Sequence, residues 1–146
     1  MKRLNLLLHV TSSAGWWGAV AAFLALAIAG MTGDGHAACR AMAVTGWGAI
    51  VPLAVLSSAT GLVQSLLGAW GLLRYWWVLF KIVVILPCSL LLVLHLKALD
   101  ACSARTADRM TVDATLALIV LMVPLALSVY KPRGTTPWTA PRGPQA

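Results

Sequence analysis

Four side chains that a membrane-spanning helix ordinarily avoids stand seven residues apart: Arg74, Lys81, Cys88 and His95. Two helical turns separate successive members, and a helix drifts only ~20° per heptad, so a helix through them carries all four on one face. Ionisable groups inside a span are costly and usually face a bundle interior, a partner or a bound group. A second set lies near the N-terminus. At ~100° per residue, His9, Ser12, Ser13, Trp16, Val20, Phe23 and Ala27 cluster on one side of a helix.

Neutral imidazole can ligate a metal ion or haem iron, and Arg74 and Lys81 suit carboxylates such as haem propionates at a membrane edge. No acid lies deep in any apolar run to neutralise Lys81. Its partner is then a lipid phosphate, a carbonyl, a ligand, or water reached by snorkelling. His95 falls ~21 Å beyond Lys81 along a helix, so a single haem between His9 and His95 would need a common depth that they lack. The inner constellation is His9, Ser12, Trp16, Arg74, Tyr75 and Lys81, and it suits haem b or another anionic ligand. Structural readings stay open beside it: a snorkelling Lys81, an ordinary flanking Arg74, a packed His9.

Asp34, His36 and Cys39 precede the second apolar run, while His95, Asp100 and Cys102 flank the end of the third. His36, Cys39, His95 and Cys102 offer ligands for copper or zinc, though without CxxC or HxxxH spacing. Cys39 and Cys102 can equally form a disulfide or remain thiols. Cys88 reads as a small buried apolar residue. The chain has no Walker loop, GxSxG elbow, zincin motif or paired carboxylates, so hydrolase and nucleotide-binding readings lack support and no catalytic residue is assigned.

The elements that must position these residues follow from composition. The 146 residues are 60% hydrophobic and only 10% charged, too few polar groups to cover a soluble domain. Apolar runs over 4–30, 47–70, 75–99 and 112–130 each approach or exceed the ~20 residues that cross a bilayer. The fold expected is an all-α bundle of four transmembrane helices over residues 1–130, followed by a basic, Pro-rich cytoplasmic tail over 131–146.

Charge sets the orientation. With both termini cytoplasmic, the inner side carries Lys2, Arg3, Arg74, Lys81, Lys131, Arg133 and Arg142 and no acid. The outer side carries Arg40, Lys97, Arg105 and Arg109 against Asp34, Asp100, Asp108 and Asp113. Loops over 31–46 and 100–111 are then external. The net charge of +7 is a topology signal that requires no nucleic acid. Lys2 and Arg3 also permit a cleaved signal peptide, but the run is longer than a ~7–15-residue h-region and carries His9, Trp16 and Trp17.

Within the helices, Ala14, Gly18, Ala22 and Ala25 form a small-residue face opposite His9 that would let another helix or a partner protein approach closely. Ser57, Ser58, Gly61, Gln64 and Ser65 mostly share a stripe that suits helix packing or a ligand. Trp16 and Trp17 lie too deep for an interfacial belt and read as bundle or pocket residues. Pro87 kinks the third helix, and Thr111 is placed as N-cap of the fourth, with Asp113 in its first turn.

One set of residues carries a resemblance. It runs from His9 and Trp17-Gly18 through Thr60-Gly61-Leu62-Val63-Gln64-Ser65, Trp70-Gly71-Leu72, Arg74-Tyr75-Trp76, Lys81 and His95 to Leu127-Ser128-Val129-Tyr130-Lys131-Pro132-Arg133-Gly134. It resembles a bacterial family of small four-helix membrane proteins of unknown function, over nearly the whole chain to Gly134. That family is distantly similar to the membrane domain of copper-resistance protein D and to the haem-binding protoporphyrinogen oxidase of the HemJ type. The resemblance implies a multi-pass protein of the bacterial inner membrane. It also implies functional roles for His9, Arg74 and Lys81, by position with that oxidase's first-helix histidine and third-helix arginine and lysine. The oxidase's tyrosine–histidine ending is not reproduced, since His95 follows Leu94.

Overall fold

The computed structural model describes residues 2–67, 76–97 and 104–130, and all are helical apart from the turn at Gly33 and Asp34. Helix α1 spans Lys2–Thr32, α2 Gly35–Thr45, α3 Val51–Leu67, α4 Trp76–Lys97 and α5 Ala104–Tyr130. A π-helical turn over Gly46–Ile50 joins α2 to α3 without a break, because Thr45, Gly46 and Val51 all keep right-handed helical angles. The amide of Val51 donates to the carbonyl of Gly46, five residues back. Pro52 follows directly. It has no N–H and would crowd the carbonyl of Gly48, and a widened turn relieves that conflict without ending the rod.

The rod corrects the expected external loop over 31–46 and the expected helix start at 47. Asp34 is the reason. Its carboxylate accepts from the amides of His36 and Ala37 at 3.0 and 3.2 Å, starting a helix twelve residues before the apolar run. A run of small residues, Ala37, Ala38, Ala41 and Ala43, then propagates it. Helix α5 also begins early, at Ala104. Thr111 is therefore interior to it and not its N-cap; its hydroxyl donates back to the carbonyl of Ala107 at 2.9 Å. The tail over 131–146 lies outside the described residues.

Among the described residues three helices are long and apolar enough to cross a membrane: Arg3–Thr32, Gly35–Leu66 and Thr106–Leu127. The stretch Ile82–Lys97 of α4 is apolar but shorter. Leu7, Ile28, Val55, Leu62, Val83, Leu90, Leu116 and Ile119 point outward, an apolar surface that water would not tolerate and lipid would.

Helix α1 packs against the rod and α5, and α4 packs against those same partners, which leaves α1 and α4 diagonal. The helices alternate in direction, so α1 and α4 begin at the same end. At the other end small residues bring backbones together. Gly30 faces Ala38 and Ala107, and Gly46 lies so close beneath Leu96 that a methyl group there would overlap it. Around these contacts sits the apolar core of Val20, Phe23, Ala27, Cys39, Met42, Ile50, Leu96, Met110 and Ala114. The opposite half of the α1–α3 contact is built differently, from polar side chains.

Candidate functional site

Of the residues that spacing groups on one face of α1, Ser12, Trp16, Val20, Phe23 and Ala27 are all buried. Ala14, Gly18, Ala22 and Ala25 on the opposite side are exposed, and no atom lies within 4 Å of a side chain added at Gly18. Trp16 and Trp17 therefore part company. Trp16 enters the core, while Trp17 is 42% exposed on the outside.

Across from the inward face, α3 presents Ser57, Thr60, Gly61 and Gln64. The two helices run in opposite directions and meet in polar rungs about one helical turn apart. At the first, Gln64 donates to the carbonyl of Asn5 at 3.3 Å and Asn5 donates to the carbonyl of Thr60 at 3.1 Å. At the second, Nδ1 of His9 is 3.0 Å from the carbonyl oxygen of Ser57 and 3.2 Å from Oγ1 of Thr60. At the third, the hydroxyls of Ser13 and Ser57 bond at 2.6 Å. Interhelical polar contacts of this kind contribute about 0.6 kcal/mol each in a membrane, so together they orient α1 on α3 more than they clamp it.

The second rung fixes the chemistry of His9. The Ser57 carbonyl can only accept, and the Thr60 hydroxyl lies 2.7 Å from the carbonyl of Leu56, to which it donates. Nδ1 is accordingly the protonated nitrogen, and the lone pair of the neutral ring sits on Nε2. A carbonyl on one nitrogen that sets the tautomer for the other is the usual support of a ligating histidine. Gly61 makes room for the ring: a Cβ there would come within 3.0 Å of Cε1 and 3.4 Å of Nδ1. One turn further along α1, Ser12 donates to the carbonyl of His9 at 3.1 Å.

Of the inner constellation, the structure brings His9, Ser12 and Trp16 onto one face of α1, beside α3. Arg74 and Tyr75 lie outside the described residues. Lys81 stands on the first half of α4, at the same end of the bundle as His9, and its side chain also lies outside the description. Asn5 and Thr60 were not singled out from the sequence as site residues, although an asparagine one turn before His9 was a usable signal.

The external group separates. Nδ1 of His95 pairs with Asp113 of α5 at 2.9 Å, both partly exposed. His36 is exposed beside its cap, and Cys39 is buried and disulfide-bonded. Cys88 is a free, half-buried thiol. Cys102 and Asp100 lie outside the described residues. Among the described residues no three His, Cys, Asp or Glu side chains gather as metal ligands.

Comparison with protein-family models, with curated proteins and with solved structures finds no match to this chain.

Proposed function

We propose that this chain is a multi-pass protein of a bacterial inner membrane, with α4 as its fourth span, and that its cytoplasmic half binds haem b or another anionic ligand in a pocket around His9, Arg74 and Lys81. The observation that carries the reading is the bond from Nδ1 of His9 to the Ser57 carbonyl, which sets the tautomer a ligating histidine has, with the lone pair on Nε2. Arg74 and Lys81 supply the cations for carboxylates such as propionates. When bound, the haem would supply redox or ligand-binding chemistry; the chain's own residues bind and orient it. The resemblance to the HemJ-type oxidase agrees with this assignment of His9, Arg74 and Lys81.

Two features support the orientation. Lys2 and Arg3 begin α1, while the opposite end mixes Asp34, Arg40, Lys97, Asp108, Arg109 and Asp113. A disulfide at Cys39 suits an oxidising compartment at that mixed end.

The test is the visible spectrum of detergent-purified protein from haem-replete cells. A Soret band lost in His9→Ala supports the haem reading, and a colourless protein ends it. The polar rungs favour a second reading, a membrane assembly protein in which His9 serves only helix packing. In that case His9→Ala lowers thermal stability and changes no spectrum. A copper-tolerance role at His36, Cys39, His95 and Cys102 has less support, because a disulfide sulfur offers no thiolate to a metal.

A further inference from the structure

The polar rungs between α1 and α3 break off one turn too early. Asn5, His9 and Ser13 each find a partner on α3. The next position on the same face is Trp16, ~10 Å deeper than His9 along the helix. Trp16 is 6% exposed, and its Nε1–H has no hydrogen-bond partner among the described residues. The reason lies across the interface. A Cβ added at Gly15 would lie 3.4 Å from Leu53, and Ala54 is buried in the same cluster as Trp16, so α3 brings apolar side chains to this level.

A buried indole N–H left without an acceptor is costly, and in hydrocarbon no bulk water relieves it. The surroundings can hold an acceptor. Ser12 stands four residues before Trp16 on the same face and is 2% exposed. Its proton goes to the carbonyl of His9, which leaves oxygen lone pairs for a second donor. We propose that Trp16 and Ser12 form a mid-membrane binding site for an acceptor oxygen from outside the chain. The source is one buried water, which would accept from Trp16 and donate to Ser12. This site is separate from the Nε2 atom of His9 and does not depend on haem.

The test uses the full chain in lipid nanodiscs, reading the Trp16 indole N–H resonance by NMR and assigning it by its loss in Trp16→Phe. A downfield, hydrogen-bonded line with magnetisation transfer from water supports the proposal with water as the occupant. A downfield line without water contact that moves upfield on delipidation overturns it, because the acceptor is then a lipid. An upfield, unbonded line in lipid overturns it. So does a downfield line that survives delipidation without water contact, since the acceptor then belongs to the chain. Trp16→Phe opens space in the core and can fail to fold, so Ala54→Ser provides an independent arm. It adds a hydroxyl acceptor opposite Trp16. An unchanged melting temperature is expected for an N–H already satisfied, and a clear rise overturns the proposal.

Discussion

His9 illustrates how little a residue's type says before its neighbours are known. Histidine in an apolar helix is compatible with ligation, packing or an interfacial position. The carbonyl of Ser57 and the missing side chain of Gly61 give it one orientation and one tautomer. Gly61→Ala should therefore do more than a surface Gly→Ala change. Its Cβ would press on Cε1, and the ring or the helices must shift at about 1–3 kcal/mol. Gly48→Ala is the matched control. Nothing lies within 4 Å of its added Cβ, so it should be neutral or stabilise by about 0.5–1 kcal/mol. Thermal unfolding of both variants in one detergent measures the difference. Ser13 and Ser57 allow a double-mutant cycle to alanine, with an expected coupling of about 0.6 kcal/mol and no more than about 2. A coupling near zero would mean that the hydroxyl pair does not hold the seam. The grouping of Ser12, Trp16, Val20, Phe23 and Ala27 was legible from 3.6-residue periodicity, whereas their burial was decided by packing against the other helices. The partners of His9 were not legible, since they lie about fifty residues away and no local pattern links them.

At the scale of elements, the decisive small features are a cap and a glycine. Asp34 converts what composition presents as a loop into the first turn of the rod that runs from Gly35 to Leu67. Asp34→Ala should cost about 1 kcal/mol and accelerate hydrogen exchange at the His36 and Ala37 amides, whereas Asp34→Asn should largely preserve both. Equal exchange in the two variants would show that the rod nucleates elsewhere. Leu96 is nearly fully buried, and it anchors the C-terminal end of α4 on Gly46 beside the His95–Asp113 pair. Leu96→Ala should destabilise the protein by about 2–5 kcal/mol. Cross-linking yield between introduced cysteines on α4 and α5 should fall with it. The heptad line of Arg74, Lys81, Cys88 and His95 thus resolves into groups with different roles. His95 belongs to this anchor, and Cys88 stays a half-buried thiol.

For the whole molecule, the two ends of the bundle differ in what holds them. The end containing the Asp34 turn carries the packed apolar core and the Cys39 disulfide, while the end where α1 begins is joined by hydrogen bonds. The orientation proposed here predicts a labelling pattern in intact spheroplasts. A cysteine placed at the exposed His36 should be reached from outside by a membrane-impermeant maleimide, and Cys88 should stay unmodified until detergent is added. Labelling of His36→Cys only in inverted vesicles would reverse the topology. Reduction should also lower the melting temperature, because an intact disulfide limits the unfolded chain.

The sequence alone determined that the chain is helical and suited to lipid, because 60% hydrophobic content and long apolar runs leave no soluble alternative. It also grouped Ser12, Trp16, Val20, Phe23 and Ala27 on one face of α1, while packing made that face, and not the small-residue one, the buried side. Tertiary structure decided the rest. It extended the second helix back to Gly35, moved Thr111 inside α5, gave His95 to Asp113 and joined His9 to Ser57, Thr60 and Gly61. The division has one physical cause. Hydrophobicity and periodicity act along the chain and are written locally. Interhelical hydrogen bonds and glycine contacts depend on which turns of two helices meet, and only packing fixes that register.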